Sequence, residues 1–137
     1  MNIAIVGATG NVGRKTLEVI EKKNFKFDNL YLVASPKSAG KKISFKNKDY
    51  LVENLETYDF SKANITFFAA GGKISEKYAE KAAEHTTVID NSSFFRMDPD
   101  VPLIVPQVNG SEVKKMKKNI IANPNCSTAQ LVLVLKP

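Results

Sequence analysis

Tryptophan is absent from this chain, and cysteine and histidine occur once each, as Cys126 and His85. A single cysteine excludes an internal disulfide, and with so few soft ligands no metal site is expected. No apolar run approaches the ~20 residues that span a bilayer. The start, Met-Asn-Ile-Ala-Ile-Val-Gly, has no basic segment and reaches its glycine too soon for a signal peptide. A cytoplasmic protein with no membrane partner is the default. Repeats, low-complexity tracts and linkers are also missing, and 137 residues make one domain's worth of chain. What is present is an ordinary globular balance, 43% hydrophobic and 25% charged.

A net charge of +6 raises nucleic-acid binding as a possibility. The lysines, however, are scattered in pairs (Lys22-Lys23, Lys41-Lys42, Lys114-Lys115, Lys117-Lys118), with no aromatic interleaving. A solvated lysine-rich surface accounts for them better, and no nucleic-acid partner is expected.

Apolar runs and helical patterns alternate along the chain. Ile3–Val6, Leu30–Ala34, Ile65–Ala69, Thr87–Ile89 and Ile120–Ala122 read as strands of a buried parallel sheet. Helices are predicted over Asn11–Lys23, with Val12, Thr16, Val19 and Ile20 at helical spacing, and over Ser75–Glu84, with Tyr78, Ala79, Ala82 and Ala83 as its packing face. Two more are predicted over Ser111–Lys118 and Ser127–Leu135. Lys41–Glu53 reads as an edge excursion of two short charged segments, and Leu103–Val105 as an extended piece between Pro102 and Pro106. The pattern predicts an α/β fold, a doubly wound, mostly parallel sheet of the Rossmann type. Leu131–Leu135 is five large apolar residues in succession, a helix without a polar face, which requires burial by a partner or by further chain. The second is preferred. The division expected is a cofactor-binding domain over residues 1–127, with residues 128–137 as a helix leading into a second α+β domain.

Three motifs carry chemistry. Gly7-Ala8-Thr9-Gly10-Asn11-Val12-Gly13 follows a strand and opens a helix. Gly7 serves the tight turn, Gly10 the approach of backbone to a pyrophosphate, and Gly13 close helix–strand packing. After the second strand comes Ser35-Pro36-Lys37-Ser38, with none of the acidic side chains that bond the ribose 2′-hydroxyl of NAD. Hydroxyls and a lysine suit a 2′-phosphate, which favours NADP. Third, Cys126 in Asn123-Pro124-Asn125-Cys126-Ser127-Thr128 stands where a strand ends and a helix begins. Aligned amides there stabilise a thiolate and an oxyanion. Nucleophile and packing thiol both remain open on that evidence. Ala70 and Gly71, and Asn91, likewise follow strands, so five segments rich in Gly, Ser and Asn gather at the carboxyl edge where such sheets bind ligands. A cysteine nucleophile beside a nicotinamide suggests aldehyde or acyl-phosphate chemistry through a thioester.

With GATGNVG at 7–13, ASPKSAGK at 34–41, AAGG at 69–72, DNSSFFRMDPDVPLIVPQVN at 90–109 and NPNCST at 123–128, the chain resembles the aspartate-semialdehyde dehydrogenases over essentially its whole length. The resemblance implies an NADP-dependent, reversible reductive dephosphorylation of L-aspartyl phosphate to L-aspartate semialdehyde, serving lysine (diaminopimelate), threonine and methionine biosynthesis. It implies that Cys126 carries the acyl-thioester, that Asn125 orients the acyl oxygen, and that Thr9, Gly10, Asn11, Val12, Lys37 and Ser38 hold NADP. Arg96 would bind phosphate, a role that its guanidinium fork suits; its alternative is pairing with Asp98 or Asp100. Gln107 departs from the family's usual Glu. His85, closing a helix that runs away from the ligand edge, is read as a surface residue. The resemblance therefore puts the general base, further substrate residues and a homodimer interface in a second domain, and makes the present chain an inactive cofactor half. Two alternatives remain: an N-acetyl-glutamyl-phosphate reductase-like enzyme and a non-catalytic NADP-binding module.

Overall fold

In the computed structural model, which describes residues 1–136, strand and helix alternate from the start of the chain. β1 (Asn2–Val6) leads into α1 (Asn11–Lys22), β2 (Asn29–Ala34) follows, and β3 (Lys42–Phe45) and β4 (Lys48–Asn54) form a hairpin. β5 (Ile65–Phe68), α2 (Gly72–Ala83), β6 (Thr87–Asp90), the one-turn α3 (Pro106–Asn109), β7 (Ile120–Ala122) and α4 (Cys126–Leu135) complete the order. One sheet contains all seven strands, in the order β3-β4-β2-β1-β5-β6-β7. Every pairing is parallel except β3 with β4, which meet through a two-residue turn. That turn, Lys46-Asn47, has φ of 48° and 60°, as a type I′ hairpin requires. Winding proceeds from β1 through β2, then reverses through β5, which leaves a crevice between β1 and β5 at the carboxyl edge. The architecture is the doubly wound α/β sheet that the alternating pattern predicts.

Two cores sandwich the sheet. Ile3 and Ile5 of β1 join Leu17 and Ile20 of α1, Leu30, Leu32 and Val52 on one face. Ala4 and Val6 point the other way, into Val33, Phe68, Val88 and Ala79 and Ala82 of α2. This explains the uninterrupted apolar run of β1, since a strand at the middle of a parallel sheet has no polar side. α2 begins three residues earlier than its periodicity suggests, at Gly72, and buries Ser75, Ala79 and Ala82.

Two expectations are corrected. In α1 the buried face is Gly13, Leu17 and Ile20; Val12 and Val19 are 45% and 48% exposed. With Thr16, Phe25, Phe67 and Ile89 they line an open apolar groove of about 720 Å³. The cause is coverage, because β5 and β6 carry a helix on the α2 side and none on the α1 side. Ser111–Lys118 is not an α-helix. Residues Gly110–Lys115 form a 3₁₀ run after α3, for six residues with three charges and little to bury do not sustain α-helical packing. α4, by contrast, is exposed as expected of a helix whose cover must come from a partner or from further chain: none of its residues is buried, and Val134 is 83% exposed. α4 itself spans residues 126–135, and Pro137 lies outside the described residues.

Both sheet edges are short. β3 has four residues, with Lys42 and Ser44 outward. On the other side Leu103 bridges to Ala122 of β7, with Ile104 N donating to Ala122 O at 3.0 Å. Among the described residues no helix is long and apolar enough to cross a membrane.

Candidate active site

The turn after β1 is held by backbone contacts that exclude side chains. Gly7 has φ +85° and donates its N–H to Val33 O at 2.8 Å. A β-carbon on Gly13 would stand 2.3 Å from Gly7 O. Gly10 is different, since its nearest such neighbour, Gly7 O, lies at 3.4 Å. Protein packing accounts for Gly7 and Gly13 but leaves Gly10 unexplained; an arriving ligand would supply the reason. Gly10 is also the N-cap of α1 and offers no side-chain acceptor. The first-turn amides of Asn11, Val12 and Gly13 therefore face the edge without a cap, which suits an anion.

Around that turn the strand ends draw together. Thr9 Oγ1 donates to Ser38 Oγ at 3.5 Å, which joins the glycine turn to the segment after β2. That segment, Pro36–Ser38, is a 3₁₀ turn with Ser35 as N-cap. Lys37 is exposed and, among the described residues, pairs with no carboxylate. Glu53, a carboxylate on the neighbouring strand β4, is paired in register with Val33 and engaged by Lys62 at 3.2 Å. After β5, Ala70 and Gly71 lead into α2, and Gly71 (φ +87°) leaves a second helix N-terminus without a side-chain cap.

The other half of the edge is built by β6 and β7. Asn91 and Asn123, the residues directly after these strands, join through Asn123 Nδ2 and Asn91 Oδ1 at 2.5 Å. Arg96 lies across both: its Nε donates to Asn123 O at 2.9 Å and its Nη2 to Asn91 O at 3.3 Å. The fork is thus fixed by two carbonyls, with N–H groups left over. Asp98 and Asp100, its alternative partners, go instead to Lys118 at 3.0 Å and Lys117 at 2.7 Å. The Asp100 amide and then Lys118 hold the Asp98 carboxyl below its usual range.

Cys126 is exposed and is the first residue of α4. It is no packing thiol. Asn125 caps the helix through Oδ1, which accepts from Ser127 N at 2.9 Å and from the Cys126 thiol at 3.7 Å. The amides of Cys126 and Thr128 remain for an oxyanion. His85 is exposed just past the end of α2, at the sheet's opposite edge. Gln107 lies in α3, where its backbone carbonyl accepts from Lys136 Nζ at 3.2 Å. Sequence reasoning did not single out Asn123 or the buried Asp90 as site residues. An asparagine after each of two successive strands, and an acid closing the run Thr-Val-Ile-Asp, were the signals available.

The fold and the uncapped glycine turn define a dinucleotide-binding domain of the doubly wound class, here with an exposed cysteine at the same edge. A family model, "Semialdehyde dehydrogenase, NAD binding domain", matches residues 2–116. The chain belongs to that family. An aspartate-semialdehyde dehydrogenase of Aquifex aeolicus is 54% identical over 138 residues, covering 98% of this chain and 41% of the relative. The crystal structure of aspartate-semialdehyde dehydrogenase II of Vibrio cholerae, complexed with ASA, is 49% identical with a TM-score of 0.96, covering 99% of this chain and 45% of that one. That of Candida albicans, with NADP, is 30% identical with a TM-score of 0.77, covering 99% and 46%. The chain thus spans about two fifths of the length of the curated relatives it matches.

Proposed function

We propose that this chain is the cofactor-binding and nucleophile-bearing part of an NADP-dependent aspartate-semialdehyde dehydrogenase. The observation that carries this reading is the place of Cys126. It opens α4 at the carboxyl end of β7, one strand from the loop that holds Arg96. Three strand spacings, ~14 Å, separate β7 from the uncapped turn after β1. An extended dinucleotide lying across the crevice would bring its nicotinamide toward the cysteine.

In this reading the Cys126 thiolate adds to the aldehyde carbon of L-aspartate semialdehyde, forming a C–S bond and an oxyanion. The amides of Cys126 and Thr128 receive that oxyanion, and Asn125 Nδ2 donates to it. NADP, when bound, would supply the hydride acceptor for this carbon, and Cys126 would be left carrying the thioester. Phosphate held by Arg96 then attacks the thioester carbonyl. The C–S bond breaks, Cys126 recovers its electron pair, and L-aspartyl phosphate departs. The reverse sequence is the reductive dephosphorylation. NADP rather than NAD is supported by the free Lys37, the hydroxyls of Ser35 and Ser38, and the engagement of Glu53 by Lys62. No base faces Cys126 within the described residues, since His85 is at the opposite edge, so the chain alone is proposed to bind without turning over.

Calorimetric titration of the chain with NADP and with NAD tests the cofactor half. Tighter binding of NADP is expected, and no binding of either overturns the reading. Alkylation of Cys126 followed by mass spectrometry tests the other half: bound NADP should slow it, and an unchanged rate would separate cysteine from cofactor.

A further inference from the structure

Asp90 is the last residue of β6 and is 0% exposed. Burying a carboxylate is costly unless hydrogen bonds replace its water. Here it accepts from Ser75 Oγ at 2.6 Å, Ser92 N at 3.1 Å and Ser92 Oγ at 2.6 Å. All three donors are neutral. The same core holds Phe68, Val88, Phe95 and Ala122, among which an apolar side chain would have been the less costly filling. Packing alone therefore gives no reason for an acid at this position.

The reason lies in what the acid's partners hold. Two of its three bonds go to Ser92, whose hydroxyl accepts in turn from Phe94 N at 3.1 Å. These bonds curl residues 90–94 into a tight turn, and the buried Phe95 (2% exposed) pins the chain beside Arg96. The backbone of Asp90 is tied as well: its carbonyl accepts from Asn123 N at 2.8 Å, while Asn91 N donates to Phe68 O at 3.0 Å. The carbonyls that orient Arg96 belong to Asn91 and Asn123. Each is one bond or one residue from Asp90. We propose that Asp90 is a positioning residue that acts through Ser92 to set the turn and thereby aims the Arg96 guanidinium at its anion. A negative charge under a phosphate site is unfavourable in itself, so the contribution runs through geometry. This rests on the assignment of Arg96 to phosphate made above.

Ser75 and Ser92 both donate to the same carboxylate, but only Ser92 touches the loop, which gives a clean comparison. The experiment takes the chain with Asp90→Asn, Ser92→Ala, Ser92→Thr and Ser75→Ala. It follows the Arg96 Nε–Hε resonance and the affinity for inorganic phosphate with NADP present. Ser92→Ala and Asp90→Asn should move the resonance and weaken phosphate by about tenfold, the scale of one bond to a charged group. Ser92→Thr should restore both, and Ser75→Ala should leave both within about twofold. Equal losses in Ser75→Ala and Ser92→Ala would reduce Asp90 to a satisfied core charge and overturn the proposal. So would an unmoved resonance with unchanged affinity in Ser92→Ala, the variant that decides if Asp90→Asn does not fold. If the unmodified chain binds no phosphate, yet the resonance still answers to Ser92→Ala and not to Ser75→Ala, the phosphate assignment fails and the positioning role stands.

Discussion

Gly13 and Gly7 meet backbone to backbone, so closely that a β-carbon on Gly13 would lie 2.3 Å from the carbonyl oxygen of Gly7. Neither partner has a flexible side chain that can give way. Gly13→Ala is expected to destabilise the chain by about 3 kcal/mol and to lower Tm by roughly 10 °C. Gly10→Ala meets nothing nearer than 3.4 Å. It should keep its Tm and lose NADP affinity by about tenfold, or ~1.4 kcal/mol. Thermal melts and calorimetry of the two variants read the difference, and equal behaviour would remove the ligand from the account of Gly10.

Lys37 should discriminate between the two nicotinamide cofactors. Lys37→Ala is expected to weaken NADP by about tenfold while leaving NAD unchanged, because only NADP carries the 2′-phosphate. Parallel losses for both cofactors would show that Lys37 contacts some other part of the molecule.

Arg96→Lys keeps the charge and discards the fork. A lysine cannot bond Asn91 O and Asn123 O and still present paired N–H groups to a phosphate. Phosphate affinity should fall by about tenfold with NADP affinity intact. Retained phosphate binding in titrations of this variant would mean that charge alone suffices.

Tyr58 has a buried hydroxyl with no hydrogen-bond partner among the described residues, and burial pushes its pKa above the ordinary tyrosine range. Its ring stands edge-on to Phe60 at 5.1 Å and within 6.1 Å of Tyr31. Tyr58→Phe preserves those contacts and removes the orphan, so stability should be unchanged or rise by about 1 kcal/mol in denaturant titrations. A loss would reveal a partner for the hydroxyl.

Acid should weaken the fold in part through Asp98. Its carboxyl is depressed in the folded chain, so its contribution is present above the unfolded value, ~3.9, and is lost as pH falls through the lower folded value. Melting curves of the unmodified chain and Asp98→Asn should therefore differ at pH 7 and converge in strong acid. High salt should narrow the gap at neutral pH, since Lys118 is partly exposed.

Much of this was legible in the sequence because it is local. A strand, a glycine turn and a helix are specified within residues 2–22, and the place of Cys126 at a strand-to-helix junction is equally local. Its exposure, which separates a nucleophile from a packing thiol, is seen only in the fold. Partner choice was harder to read. Val12, Thr16 and Val19 share a helical face as surely as Leu17 and Ile20 do, but periodicity says which residues lie together, not which face a neighbour covers. Leu131–Leu135 showed the converse: apolar character demands burial, whereas the described chain supplies nothing to bury it. The site's second half was hidden for a third reason. Asn91 meets Asn123 only through the register of β6 on β7, where Asp90 stands opposite Ala122, and a pairing 32 residues apart leaves no local mark.

The short, guarded edges of the sheet bear on how this chain behaves when concentrated. Fibrils of the amyloid type grow by adding strands to a long, free edge. On one side β3 offers four residues guarded by Lys41, Lys42 and Lys46; on the other, the Pro102–Ile104 segment already occupies Ala122. Neither end is a template. Association of the folded chain falls to its apolar faces, α4 and the groove beside α1, and should yield amorphous, detergent-reversible oligomers that do not seed.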